Sequence, residues 1–342
     1  MKILHFLVTD RLSGAENVVI DILNGFKESN EVYYVSPEGP IREAVEKNGI
    51  NFIPCDTDSV SEIKRVYREI KPDIVHACDP RMSFKCALAG IPFVSQLHNN
   101  CPWMKKLCPN SLALWYTAKK AKAVITVSES IEKEFIFRKA FKGKLHMLEN
   151  TVNREKVENG AKEPFDKKYD LVFVGRLNEQ KRPLMFLELC RLIRRKLPEM
   201  SAVMVGEGEL KGECEEYIKE YSVEGVTLHG FDPNPYKIIN ASKINVFTSH
   251  YEGFGLVAVE SMILSKPVLA FPVGGLADVV TNESGALCDS IEEMSQEALK
   301  LLSDTEYYEK KSLGASENSR RFTDSDLYIE KIKNIYAEVL KK

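Results

Sequence analysis

Short apolar runs alternate with longer stretches whose apolar residues recur every three to four positions, and this rhythm persists along nearly the whole chain. Ile3 to Thr9, Val32 to Val35, Phe52 to Pro54, Ile74 to Ala77, Phe93 to Leu97 and Val124 to Val127 each suit a buried parallel strand, with helical segments between them. A second series begins after residue 168: Leu171 to Val174, Ala202 to Val205, Val226 to Leu228, Ile244 to Thr248 and Val268 to Phe271. Repeated strand and helix alternation predicts doubly wound parallel sheets, and two separate series predict two of them. Arg154 to Lys168 is charged and carries Gly160 and Pro164, the composition of a linker. Leu327, Ile329, Ile332, Ile335, Tyr336 and Leu340 form the apolar stripe of a final helix.

Length supports this division, because 342 residues exceed what one core comfortably organises. With 44% hydrophobic and 28% charged residues the chain reads as soluble and globular, and a net charge of -3 gives no reason to expect nucleic acid as a partner. The apolar run at Ile3 to Val8 is too short for a secretory signal and no stretch reaches bilayer-spanning length, so the expected location is the cytoplasm. Eight scattered cysteines without C-x-x-C pairs suggest neither a zinc site nor a disulfide framework.

In doubly wound sheets ligands bind beyond the carboxyl ends of strands. That rule singles out Gly14, Asp79, His98 with Asn99, and Ser128 with Glu129 in the first half. In the second half, Gly175-Arg176 and Lys181 share one post-strand loop, where a forked guanidinium and a flexible ammonium suit a diphosphate and a salt-bridged surface equally. Gly206-Glu-Gly208 follows the next strand, but the third glycine is Gly212, one position late for a dinucleotide fingerprint, which excludes a nicotinamide or flavin reading. The stretch from Ser249 to Leu264 predicts a strand end, a glycine loop and a helix from about Phe254 to Leu264. Glu260 falls among Leu256, Val259, Ile263 and Leu264, inside the apolar stripe. Two explanations serve: a partner within the fold, or a cleft in which Glu260 accepts hydrogen bonds from ligand hydroxyls.

Two further stretches admit two readings each. Asp56-Thr57-Asp58 has the spacing of a metal-diphosphate pair and also that of a helix cap at Asp58 or Ser59, the cap being favoured. Between Asn99 and His146, ten Lys and Arg face three Glu, interleaved with Trp103, Trp115, Tyr116, Phe135, Phe137 and Phe141. This suits an anionic membrane surface contacted through residues 103–144, or a solvated helix face with aromatics turned inward.

Gly14, His98, Gly175-Arg176 with Lys181, Gly206-x-Gly208, Gly230-Phe231, and Glu252 with Glu260 as E-x7-E together resemble the retaining GT-B glycosyltransferases of family 4. The resemblance implies an α/β GT-B fold of two Rossmann-like domains facing a central cleft. Its expected parts are an acceptor-binding domain over 1–155, a nucleotide-sugar-binding domain over 156–322, and a helix over 323–342 crossing back onto the first domain. It implies that Arg176 and Lys181 hold the donor diphosphate, that Glu260 binds the ribose hydroxyls and Glu252 the donor sugar, and that His98 sits near the transferred sugar. Gly14, Gly206, Phe231, Gly253, Phe254, Gly255 and Leu256 would complete the donor site, the N–H groups of Phe254, Gly255 and Leu256 meeting its oxygens. No obligatory metal or cofactor is implied. The expected donor is a UDP-sugar by preference and a GDP-sugar otherwise; the basic, aromatic stretch suggests as acceptor a hydroxyl of a glycan or lipid-linked molecule in surface polysaccharide or glycolipid assembly, with the cytoplasmic enzyme peripheral at the inner face of the membrane. Ser13-Gly14 and Glu149-Asn150-Thr151 depart from the family's usual Gly-Gly and Pro-Asn-Gly. Competing expectations are a metal-dependent GT-A transferase resting on Asp56 and Asp58, a nucleotide-sugar epimerase or phosphorylase on the same scaffold, and a non-catalytic scaffold.

Overall fold

The computed structural model describes residues 1–341. They form two units, one of residues 1–151 with 324–341 and the other of residues 152–323. In the first, β1 (Lys2–Phe6), β2 (Glu31–Ser36), β3 (Asn51–Pro54), β4 (Ile74–Cys78), β5 (Val94–Leu97), β6 (Ala123–Thr126) and β7 (Leu145–Met147) make one sheet in the order β3-β2-β1-β4-β5-β6-β7. All of its pairs are parallel. The central strands are fully buried, and they carry polar residues inside the fold as well as apolar ones: His76 in β4, Ser95 and Gln96 in β5 and Thr126 in β6.

In the second unit, β8 (Tyr169–Val174), β9 (Ala202–Val205), β10 (Val226–Gly230), β11 (Ser242–Phe247), β12 (Val268–Ala270) and β13 (Gly285–Leu287) pair in parallel in the order β10-β9-β8-β11-β12-β13. One face carries the main core, where Phe173, Phe186 and Leu189 pack with Met204, Ile244 and Leu269. The other carries a smaller cluster around Tyr169, Val172, Val203 and Ile238.

One expected feature differs, and at another stretch the favoured of two readings holds. Arg154–Gly160 is a helix of the second unit, capped by the Asn153 side chain, which accepts from Lys156 N–H. Only Val157 of it is buried, so its composition mimics a linker. At the other stretch, Ser59 caps the helix Val60–Ile70 by accepting from Glu62 N–H, and Asp58 pairs with Lys85. The Asp56-Thr57-Asp58 turn is thereby explained by capping and an ion pair.

The last helix, Ser325–Lys341, belongs to the first unit and is held there by a buried polar network. Tyr336 Oη lies 3.0 Å from His5 Nε2 and 2.7 Å from His76 Nδ1, with the two imidazoles 4.4 Å apart and fully buried. Ile329 sits where Gly25 leaves room: a Cβ on Gly25 would come 2.6 Å from it. Burial, and secondarily the charge of His98, lowers the His5 pKa to about 3, and His76 is likewise held well below its ordinary value, chiefly by burial. A histidine whose folded pKa is depressed stabilises the fold above its unfolded pKa and loses that contribution as pH falls through about 6.5. Equilibrium denaturation is therefore expected to show a loss of roughly 2 kcal/mol from His5 alone between pH 7 and pH 5. Asp79 and Glu260, whose carboxyls burial raises to about 6 and about 7, act in the opposite sense over this range, so the check is the comparison with His5→Gln: parallel pH profiles for the two proteins would contradict a neutral, buried imidazole.

Candidate donor-binding site

The carboxyl ends of β8, β9 and β10 are drawn together by glycines. Gly175 N–H donates to Val205 O at 3.0 Å, and Gly206 N–H to Gly230 O at 2.8 Å. A Cβ on Gly206, whose φ is +145°, would stand 1.9 Å from Gly175 O, so only glycine fits between these loops. Phe231, the next residue after β10, is 69% exposed. Gly253, Phe254 and Gly255 follow β11, and Gly255 at φ +98° precedes the helix Leu256–Ile263. The helix therefore starts two residues later than the sequence suggests, because Gly255 occupies a left-handed conformation that no helical residue shares. The loop after β12 packs on this turn, with Gly275 N–H donating to Glu252 O at 3.1 Å.

The loop from Gly175 to Arg182 is tied to residues 248–252 by several bonds. Lys181 Nζ contacts Glu252 Oε2 at 2.6 Å, both side chains being mostly buried, and Ser249 Oγ donates to the same carboxylate oxygen at 3.1 Å. Arg182 Nε donates to Thr248 O at 2.6 Å and its guanidinium lies 4.8 Å from the Phe271 ring centroid, so this half-buried cation is spent on architecture. Thr248 Oγ1 in turn donates to the Lys181 and Arg182 carbonyls at 2.9 Å. Arg176 is exposed, and its guanidinium makes no hydrogen bond or ion pair with any described residue. The structure thus pairs Lys181 with Glu252, which the sequence assigned to different parts of one ligand, and leaves Arg176 open to solvent.

Glu260 lies on the helix Leu256–Ile263 beside buried Val259, partly exposed itself. Tyr236 Oη donates to Glu260 Oε1 at 3.2 Å. Burial pushes the Glu260 carboxyl up to about 7, against the opposing effects of that hydroxyl and the charge of Lys156. Tyr236 and Lys156 were not singled out from the sequence. Tyr236 opens a five-residue helix, Tyr236–Asn240, too short to show periodicity.

In the first unit, Gly14 is exposed at the start of the helix Gly14–Phe26, and His98 follows β5. Burial lowers the His98 pKa to about 4, so the ring is neutral. His98 Nε2, Asn99 Oδ1 and Asn100 Oδ1 are buried without a hydrogen-bond partner. Such groups normally find a ligand or ordered water.

Two parallel-sheet Rossmann-like units of seven and six strands define the GT-B class of fold. Residues 155–321 match the family Glycosyl transferases group 1 and residues 12–156 match Glycosyltransferase Family 4. The chain belongs to this family of GT-B glycosyltransferases. It is 26% identical over 295 residues to an uncharacterized glycosyltransferase of Methanocaldococcus jannaschii, covering 78% of this chain and 69% of the relative. It is 35% identical over 128 residues, 37% of this chain and 34% of the relative, to the N-acetylgalactosamine-N,N'-diacetylbacillosaminyl-diphospho-undecaprenol 4-alpha-N-acetylgalactosaminyltransferase of Campylobacter jejuni. Among solved structures, HepE of Anabaena in complex with UDP and glucose superposes with a TM-score of 0.87 at 19% identity, with 98% of each chain covered.

Proposed function

We propose that the chain is a retaining, metal-independent glycosyltransferase that moves a hexose-type sugar from a UDP-sugar to a hydroxyl of a glycan or lipid-linked acceptor. The observation that carries this reading is the Lys181–Glu252 pair beside unpartnered Arg176, on loops that glycines bring together at the strand ends. In this reading Arg176 and Lys181 hold the diphosphate, and a diphosphate arriving at Lys181 releases Glu252 to accept hydroxyls of the donor sugar. The N–H groups of Phe254, Gly255 and Leu256 meet donor oxygens at the helix start, with Gly206, Phe231 and Gly253 bordering them. Glu260 accepts the ribose hydroxyls. His98 and Gly14 belong to the sugar end, where the unpartnered Nε2 of His98 offers a hydrogen bond.

The reaction needs no covalent intermediate on the protein. The acceptor oxygen bonds to the anomeric carbon on the face from which the nucleoside diphosphate leaves, the carbon–phosphate-oxygen bond breaks, and the acceptor proton passes to the departing phosphate. Charge grows on that phosphate as the bond breaks, and two fixed cations stabilise it more in the transition state than in the ground state. UDP complexes of HepE and the undecaprenol-linked substrate named for the Campylobacter relative support the donor and acceptor classes.

A thermal-shift screen against nucleotides in EDTA tests the reading. UDP is expected to raise the melting temperature with no metal present, at a saturating concentration of about 100 Kd by roughly 2.7 kcal/mol in stability. Stabilisation only with added divalent metal would overturn the metal-independent reading, and no shift with any nucleotide would favour a scaffold; in a separate product assay, sugar phosphate released without acceptor would favour a phosphorylase.

A further inference from the structure

The basic, aromatic segment of the first unit is sorted by the fold in a way its composition does not show. Phe135 and Phe141 are fully buried and stack at 5.1 Å, so part of the aromatic content is core. Lys144 is also spoken for: its Nζ caps the carboxyl end of the helix Pro109–Lys120, donating to Lys119 O at 2.9 Å and Ala121 O at 2.8 Å. What remains outward is a different set. Leu107 is 70% exposed, Ile136 47%, Leu112 46% and Trp115 41%. Four of the thirteen exposed large apolar side chains thus fall within residues 107–136, so they are a local concentration rather than a scatter.

These residues share a surface. On the helix Pro109–Lys120, Leu112, Trp115 and Lys119 lie at i, i+3 and i+7, on the face opposite buried Leu114 and Thr117. Trp115 and Phe137 approach to 6.5 Å between ring centroids. Ile136 N–H donates to Met104 O at 3.0 Å, fixing Ile136 beside the 3-10 turn Pro102–Lys105, from which the chain runs on to Leu107. Trp115, Lys119, Ile136, Phe137, Arg138 and Lys139 border one open cavity of about 490 Å³. In the same segment Lys105, Lys106, Lys119, Lys120, Lys133, Arg138, Lys139 and Lys142 are exposed; Lys133 pairs with Glu129 at 2.5 Å and Lys105 with Glu134 at 3.1 Å, and Glu132 is also exposed, which leaves six cations outside those ion pairs against one carboxylate. The whole protein has a net charge of -3, so this cationic excess is local.

We propose that this face docks on an anionic lipid bilayer, with Leu107, Leu112, Trp115 and Ile136 entering the headgroup boundary and the surrounding cations facing lipid phosphates. Exposed apolar side chains ringed by Lys and Arg are what interfacial binding needs, because neither element alone holds a protein at the surface. A protein partner would require an acidic surface shaped to this cavity, whereas a bilayer supplies negative charge at any orientation about its normal. The inference is independent of the donor assignment, since it concerns only the first unit and uses no residue given a role in transfer.

Co-sedimentation of the full chain with phosphatidylcholine vesicles, with and without phosphatidylglycerol, is the test. Pelleting is expected with phosphatidylglycerol only and is expected to fade with added salt. The triple variant Lys119→Ala/Arg138→Ala/Lys139→Ala is expected to partition roughly 100-fold more weakly, and Leu107→Ser/Leu112→Ser/Ile136→Ser to lose binding, both keeping the wild-type melting temperature. If the serine variant fails to fold, tryptophan emission decides. It should shift to the blue on phosphatidylglycerol vesicles in wild type and in Trp103→Phe, and not in Trp115→Phe. No pelleting, equal pelleting on neutral vesicles, wild-type binding by the cation variant, or a blue shift retained in Trp115→Phe would each overturn the proposal.

Discussion

Arg176→Ala is expected to lower kcat by on the order of 10²- to 10³-fold while leaving the melting temperature where it was. The two halves of that expectation come from one observation. Arg176 is exposed and engages no other described residue, so its removal breaks no contact within the fold and should shift stability by no more than about 0.5 kcal/mol. Any large kinetic effect must then arise from charge missing at the bound donor. Lys181→Ala is expected to reduce kcat comparably but to behave differently in a denaturation experiment. It leaves the mostly buried Glu252 carboxylate with the Ser249 hydroxyl in place of an ammonium at 2.6 Å, which should cost roughly 1–3 kcal/mol. Lys181→Ala/Glu252→Gln should recover most of that stability and none of the rate. Steady-state kinetics and denaturation on these four proteins check the argument. An Arg176→Ala enzyme within a few-fold of wild type would remove the guanidinium from the proposed transition-state role, and Arg176→Lys separates charge from fork geometry.

What the sequence could and could not reveal follows from burial and separation along the chain. Central strands such as β8 and β9 announce themselves because burial on both faces favours apolar runs, here Leu171 to Val174 and Ala202 to Val205. The two strands that escaped, β7 and β13, are three-residue strands at the sheet edges, where partial exposure removes the pattern. The glycine loops were legible because close backbone approach tolerates no Cβ, as between Gly206 and Gly175. The pairing of Lys181 with Glu252 was not, because the partners stand 71 residues apart and only the adjacency of β8 and β11 brings their loops together. Similarly, the misplaced look of Glu260 signalled a partner without saying which. Tyr236 is 24 residues upstream in a helix of five residues, and its hydroxyl supplies one of the hydrogen bonds that the carboxylate can accept.

Glu260 therefore carries the second large expectation, a pH dependence of nucleotide binding that the variant Glu260→Gln should abolish. Burial raises the free carboxyl to about 7, above its ordinary 4.5. A carboxyl with a raised folded pKa stabilises the fold below its unfolded pKa and forfeits that stabilisation as pH rises from about 4.5 to 7. Without nucleotide at pH 8, Glu260→Gln should accordingly be more stable than wild type, by about 1–3 kcal/mol once partial exposure is allowed for. Ribose hydroxyls reverse the balance, because they donate to the ionised form and supply the bonds that solvent no longer does. Binding of UDP should thus favour the carboxylate, with Kd level above pH 7 and rising about tenfold per unit below it until the bound pKa is reached. At pH 8 the Gln variant should bind roughly 10- to 150-fold more weakly, the worth of hydrogen bonds to a charged group. Titration calorimetry from pH 5.5 to 8 on both proteins isolates the effect, since the terminal phosphate of UDP titrates identically in each. Parallel pH profiles for wild type and Glu260→Gln would mean that this carboxylate does not meet the ribose, and that the Tyr236 hydroxyl is partner enough.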